Sequence, residues 1–262
     1  MINPANNEIV SIIIPTYNSA KTIKRAIKSV INQSYPNWEI IIVDSFSEDR
    51  TISIVRSFVK KNIKIFFCKK KRGLAFARYY GITKSKGSYI AFLDSDDLWN
   101  KNKLLFQLNF MSLKKARFSC SEYSLINDLD NKKKFLISKK KINFDYLISN
   151  RPIALSTVIL EKKYVSNIIR NYLRNGFAED YLWWLVILKK LKYCYVLNKD
   201  LANIHISKNN RSINIIKNFY SLIQIYRNIF KMSFIKVFII FTLLFIRTFD
   251  KNLFKYKTFF IK

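Results

Sequence analysis

Three carboxylates stand within four residues at Asp94-Ser95-Asp96-Asp97, directly after the apolar run Tyr89 to Leu93. Like charges this close repel, and one of the carboxyl groups is pushed towards its neutral form unless a cation is shared. A hard divalent ion with oxygen ligands suits such a cluster, and the phosphate oxygens of a substrate would complete its shell. Asp44 ends a second apolar run, Ile40 to Val43. A carboxylate there either accepts N–H donors of the kind a nucleobase edge offers, or serves as a turn residue in Asp44-Ser45-Phe46-Ser47. A third run, Ile9 to Ile14, ends in Pro15-Thr16-Tyr17-Asn18. Tyr17 there either stacks on a base or packs locally.

The elements that must position these groups are legible in the hydrophobic period. Ile9 to Pro15, Trp38 to Val43, Ile63 to Cys68 and Tyr89 to Leu93 are continuous apolar runs rich in β-branched residues, the pattern of strands buried on both faces. Between them, Ser19 to Ile31, Thr51 to Val59 and Leu74 to Thr83 carry apolar residues at helical spacing. Alternation of strand and helix predicts an α/β fold with a mostly parallel central sheet flanked by helices. In such sheets ligands bind beyond the carboxyl ends of the strands, where all three candidate groups converge. Leu98 to Leu113 reads as a helix. Phe118 to Ile126 and Phe135 to Ile137 read as strands about a polar turn, with further strands at Ser156 to Glu161, Tyr193 to Leu197 and Ala202 to Ile206. Asp180 to Lys190 reads as a helix carrying Trp183 and Trp184. Glycine occurs four times, at positions 73, 81, 87 and 176, and where it is this scarce each one is expected to meet a backbone need.

Five blocks in order resemble family 2 glycosyltransferases of the GT-A fold: Ser11 to Asn18, Ile41 to Thr51, Gly73 to Gly81, Gly87 to Trp99 and Glu179-Asp180-Tyr181-Leu182-Trp183-Trp184. The resemblance implies inverting transfer from a nucleotide-sugar, often a UDP-sugar, to a hydroxyl of a glycan or lipid-linked acceptor. It implies a nucleotide-sugar site of Pro15, Thr16, Tyr17, Asn18, Asp44, Gly73, Arg78, Asp94, Ser95 and Asp96. It implies Mn²⁺ or Mg²⁺ at Asp96, within a DxD motif formed with Asp94, and Asp180 as the catalytic base. Glu179, Trp183 and Trp184 would lie on the acceptor side. The residues themselves leave either Asp180 or Glu179 as the base, or both as acids favoured by a helix N-terminus. His205, the one histidine, stands where many family members carry a metal or diphosphate ligand; the alternative is a packed side chain. Ser45 replaces a usual second Asp, Phe46 a frequent Gly, and Asn203 a common Arg.

Lys and Arg number 47 against 17 acidic residues, a formal charge of +30, which calls for an anionic partner. No recognised nucleic-acid motif is present, and rim carboxylates would repel a phosphate backbone. Three scattered cysteines, Cys68, Cys120 and Cys194, fit a reducing compartment, and the polar start of the chain lacks a secretory h-region. A cytoplasmic location follows as the expectation. Residues 1–212 are expected to form the catalytic domain, with the nucleotide-sugar half at 1–100 and the acceptor half at 101–212. Residues 213–262 form a hydrophobic, basic helical extension. Val237 to Ile246 is too short to span a bilayer, which takes about twenty apolar residues. The band Phe234, Val237, Phe238, Phe241, Leu244 and Phe245, with Lys231, Lys236, Arg247, Lys251 and Lys255, either meets an anionic membrane surface from the cytoplasmic side or packs on the domain.

Overall fold

Ile12, Ile13, Ile14 and Ile40 to Val43 are wholly buried, as runs apolar on both faces of a strand must be. They form β1 (Val10–Thr16) and β2 (Trp38–Asp44), which pair in parallel along their full length. The computed structural model describes residues 8–69, 73–127, 131–172, 178–206 and 215–249. Gly176, Lys251 and Lys255, and the side chains of Phe245 and Arg247, therefore lie outside what is described.

β3 (Ile63–Phe67) flanks β2, and β4 (Tyr89–Phe92) flanks β1, all four strands being parallel. The connections are α1 (Ile23–Ile31), α2 (Thr51–Arg56) and α3 (Gly73–Lys84). Gly73 begins α3 at φ 76°, a left-handed backbone that favours glycine. A Cβ on Gly81 would stand 2.5 Å from Ile13 Cγ2, so the absence of a side chain there lets α3 lie directly on β1.

The second half departs from the expected helix at Leu98 to Leu113. Leu98–Trp99 is a short strand, β5, and the helix α4 starts later, at Lys103–Lys114. β6 (Phe118–Asn127), β7 (Lys132–Phe135), β8 (Lys141–Ile142), β9 (Ile159–Glu161) and β10 (Cys194–Ile206) complete one sheet in the order β3-β2-β1-β4-β9-β6-β10-β5, with β7 on β6 and β8 on β10. β9 runs antiparallel to both β4 and β6. The nucleotide half is thus parallel as expected, and the sheet as a whole is mixed. The two strands read at 193–197 and 202–206 are one strand, β10, with register shifts between Leu197 and Ala202. Two short helices, α5 (Phe144–Asn150) and α6 (Ser166–Asn171), lie where no helix was expected.

α7 (Glu179–Leu191) packs under the sheet. Trp183 and Trp184 are wholly buried. The Trp184 ring lies 5.4 Å from Phe118 and 6.1 Å from Phe92, centroid to centroid. α8 (Ile215–Gln224) runs into a π-helical turn at Ile225–Ile229, and α9 (Phe234–Phe249) follows. This extension is anchored on the body: Tyr226 is wholly buried, and its hydroxyl lies 2.7 Å from that of Tyr181 on α7. Among the described residues no helix is long and apolar enough to cross a membrane.

Candidate functional site

The carboxyl ends of β1, β2 and β4 meet on one rim. Thr16 closes β1, and its Oγ1 donates to Asp44 Oδ1 at the end of β2, 3.0 Å away. Asp44 is almost fully buried and also accepts from the Ser47 amide (3.0 Å) and the Ser47 hydroxyl (2.5 Å). The turn reading and the ligand reading of Asp44 are therefore compatible. Its own turn holds the carboxylate in place, and a carboxylate has lone pairs beyond these three bonds. Asn18 (φ 47°) ties the first rim loop to the second: its amide donates to Ser47 Oγ, and its Oδ1 accepts from Glu48 N. Pro15 is buried within β1, and Tyr17 stands at the surface with 36% exposure. Phe46 adopts φ 67° and is 46% exposed. A left-handed backbone explains why glycine suits that position.

After β4 the chain turns through Asp94, Ser95, Asp96 and Asp97. Ser95 Oγ lies 2.8 Å from Ser19 Oγ. The turn is held from beneath by Ser156, a residue the sequence reading left out of the site. Ser156 Oγ accepts from the Asp94 amide at 3.1 Å and donates to Asp97 Oδ2 at 2.5 Å. Asp97 also accepts from the His205 amide at 2.9 Å. β5 makes this contact possible, because it follows Asp97 directly and pairs with Ala202 and Asn203 of β10. Burial, then Asp94, push the Asp96 carboxyl up to about 6, partly offset by the nearby His205 and Arg78. Asp97 is raised well above the usual range by burial and by both neighbouring carboxylates.

Arg78 joins this cluster to the second acidic pair. Its Nη2 bonds Asp94 Oδ1 at 2.8 Å and its Nη1 bonds Glu179 Oε1 at 2.9 Å. Burial alone would lower its pKa, but Asp94, Glu179 and Asp180 together raise it. Of the residues read into the nucleotide-sugar site, Arg78 directs both terminal nitrogens to carboxylates. Asp180 accepts from the amide of Tyr181 at 2.8 Å. Burial raises both Glu179 and Asp180 above the usual carboxylate range, and Arg78 opposes the rise. A carboxylate held above its ordinary range is suited to take a proton.

Trp183 and Trp184 correct the sequence reading. Both were expected to border a sugar on the acceptor side. Their rings lie in the core instead, because positions five and six of this apolar helix press against Phe92 and Phe118 and face inward. Among the described residues no three His, Cys, Asp or Glu side chains form a ready-made metal cage. The donor set still fits a hard cation: Asp96 and Asp94 are crowded oxygen donors whose repulsion a cation would relieve. Magnesium-type sites commonly use one or two carboxylates and take the remaining oxygens from substrate phosphates.

The model of the family described as "Glycosyl transferase family 2" matches residues 11–163. The chain is 34% identical over 231 residues to the Bacillus subtilis (strain 168) protein named "Putative teichuronic acid biosynthesis glycosyltransferase TuaG", covering 87% of this chain and 91% of that one. It is 41% identical over 186 residues to an Escherichia coli protein, "UDP-Glc:alpha-D-GlcNAc-diphosphoundecaprenol beta-1,3-glucosyltransferase WfaP", covering 70% and 71%. Among solved structures, S. aureus TarS 1–349 in complex with UDP-GlcNAc superposes with a TM-score of 0.73 at 19% identity, over 92% of this chain and 73% of that one. That likeness concerns the fold.

Proposed function

We infer the activity from one premise: this chain belongs to glycosyl transferase family 2 and is a glycosyltransferase. Its relatives are named for cell-envelope polysaccharide biosynthesis. The reading we propose is an inverting transfer of one sugar from a nucleotide-sugar, a UDP-sugar by preference, to a hydroxyl of a lipid-linked glycan. The enzyme would work as a peripheral protein at the cytoplasmic face of the membrane, where such an acceptor is offered. The carrying observation is Arg78, whose two bonds, to Asp94 and Glu179, join groups 85 residues apart in the chain (94 and 179) into one cluster.

In this mechanism Asp44, held by Thr16 and Ser47, accepts N–H from the nucleobase, with Tyr17 beside it. The Asp94–Asp97 turn faces the ribose and the diphosphate. A divalent cation bound by Asp96, with His205 near it, would offset the charge that develops on the leaving diphosphate. Asp180 takes the proton from the acceptor hydroxyl as that oxygen attacks the anomeric carbon. Glu179 does not compete for this role while its carboxylate is engaged by Arg78. The guanidinium thus separates two adjacent acids into a structural one and a chemical one.

The test is hydrolysis of a panel of nucleotide-sugars with Mn²⁺ by the wild type and Asp96→Ala, which requires no knowledge of the acceptor. Metal-dependent release of the nucleotide from one donor, lost in Asp96→Ala, supports the reading and names the sugar. No release and no calorimetric binding across the panel would leave the alternative of a catalytically silent glycan-binding or assembly protein.

A further inference from the structure

The helix α9 is apolar on both sides. Its inner side packs on the domain: Val237 and Ile240 are buried, Phe241 and Leu244 lie against the core, and the Phe241 ring is 4.3 Å from Phe219. Its outer side carries Phe234 (73% exposed), Ile235 (74%), Phe238 (73%), Ile239 (50%) and Leu243 (41%). The pairs 234/235, 238/239 and 242/243 recur every four residues, so they form one continuous stripe along the helix. Thr242 does not break it, because its hydroxyl donates to the Phe238 carbonyl at 3.0 Å. The apolar band read from the sequence is therefore split. Val237, Phe241 and Leu244 face the domain, Phe234 and Phe238 face outward, and Ile235, Ile239 and Leu243 join the outer side. A helix hydrophobic all round is ordinarily covered on every side.

We propose that the outer face of α9 lies in the plane of an anionic lipid surface, with Phe234, Ile235, Phe238, Ile239 and Leu243 in the acyl boundary. Charge selects lipid over a second copy of this chain. Between residues 201 and 249 there are seven basic residues and no acidic one. Lys231 and Lys236 are exposed at the start of the stripe, and the Arg227 guanidinium sits 3.6 Å from the centre of the Phe234 ring. A symmetric dimer through this face would set these cations against each other, whereas anionic head groups neutralise them. At 16 residues α9 is about 24 Å long, which suits a helix lying in the interface rather than crossing it. The proposal deepens the membrane-side reading of the function and rests on it for the choice of lipid. It names the surface that would bring the site to a lipid-linked acceptor.

The test is co-sedimentation of the full chain with vesicles of phosphatidylcholine, with and without phosphatidylglycerol, alongside light scattering in the absence of lipid. The wild type pellets with the anionic vesicles far more than with the neutral ones. Phe238→Asp and Ile239→Asp each lower the partition more than tenfold, the loss expected when a large apolar side chain forfeits burial. Lys236→Gln lowers it about fivefold. All three keep the wild-type melting temperature and the wild-type rate of donor hydrolysis, since none touches the site. Absence of vesicle binding, or equal binding to neutral and anionic vesicles, overturns the proposal. A lipid-free dimer that Phe238→Asp dissolves also overturns it and assigns the face to a second copy. Donor hydrolysis is read separately, so failure here leaves the catalytic reading standing.

Discussion

Replacing Arg78 by Met keeps much of the side-chain volume and removes the cation that Asp94 and Glu179 share. The Arg78 side chain is 5% exposed, that of Glu179 14% and that of Asp94 34%. The Asp94 arm is open to solvent and contributes little on its own. The Glu179 arm is the costly one to break, because an unpaired buried charge remains beside Asp180. Removing one partner of a buried pair costs about 3–5 kcal/mol, and with one arm discounted about 3 kcal/mol is expected at neutral pH. For a domain of this size that lowers the melting temperature by roughly 6–10 °C. The loss depends on pH. Without Arg78, burial and mutual repulsion raise Glu179 and Asp180 further above their unfolded values. The folded state then binds more protons than the unfolded state, so stability falls as pH rises through the carboxyl range. Arg78→Met is therefore closest to wild type in mild acid and furthest from it at pH values above the raised carboxyl pKa. Urea unfolding across that range measures both, and Arg78→Met with Glu179→Gln should recover part of the deficit. A deficit under about 0.5 kcal/mol at every pH, or one indifferent to Glu179→Gln, would refute the view that this guanidinium neutralises the two acids.

Three other outcomes follow from named groups. Asp180→Asn should lower turnover by about 10²–10⁴-fold with donor affinity kept, and in the wild type the rate should fall with acidification at a pKa above the ordinary aspartate range, because burial raises Asp180. Lys103 is wholly buried, bonded to Gln107 Oε1 (2.7 Å) and the Thr157 carbonyl (3.3 Å), and burial pushes it down to about 7 from 10.5. Between those two values the unfolded chain binds the extra proton, so wild-type stability should rise with pH from 7 towards 10; Lys103→Met should abolish that rise in urea unfolding. Phe46→Gly should leave stability unchanged or raise it by up to about 1 kcal/mol, as thermal melting will report, since the φ of 67° strains a side chain that is largely exposed.

The strands that carry the rim were legible because a strand buried on both faces has an unmistakable composition, and Ile12 to Ile14 and Ile40 to Val43 have it. Their carboxyl ends then located Thr16, Asp44 and Asp94 on one side of the sheet. The second half was less legible because its elements are short. β5 is two residues long and only a three-residue turn separates it from α4, so Leu98 and Trp99 look like a first helical turn. α5 and α6 have seven and six residues, too few for a period to emerge. The bonds of Ser156 could not be read at all, because they depend on β9 reversing direction beside β4. Trp183 and Trp184 misled for a related reason: an acid pair at a helix start suggests a site, but the inward face of that helix is decided by Phe92 and Phe118, distant in sequence. Arg78 carried a signal that was underused. It is the one cation among Ala75, Ala77, Gly81 and Ile82 on the buried side of α3, and a cation there needs buried acids.

The proposed reaction is a single displacement at the anomeric carbon, with Asp180 taking the proton. The most direct measurement is proton NMR of the sugar first released from an α-linked nucleotide-sugar, recorded before mutarotation, by wild type and by Asp180→Asn. A single displacement releases the β-anomer from the wild type, and loss of the base reduces the release rate by orders of magnitude in the variant. First release of the α-anomer, or an undiminished rate in Asp180→Asn, would contradict it.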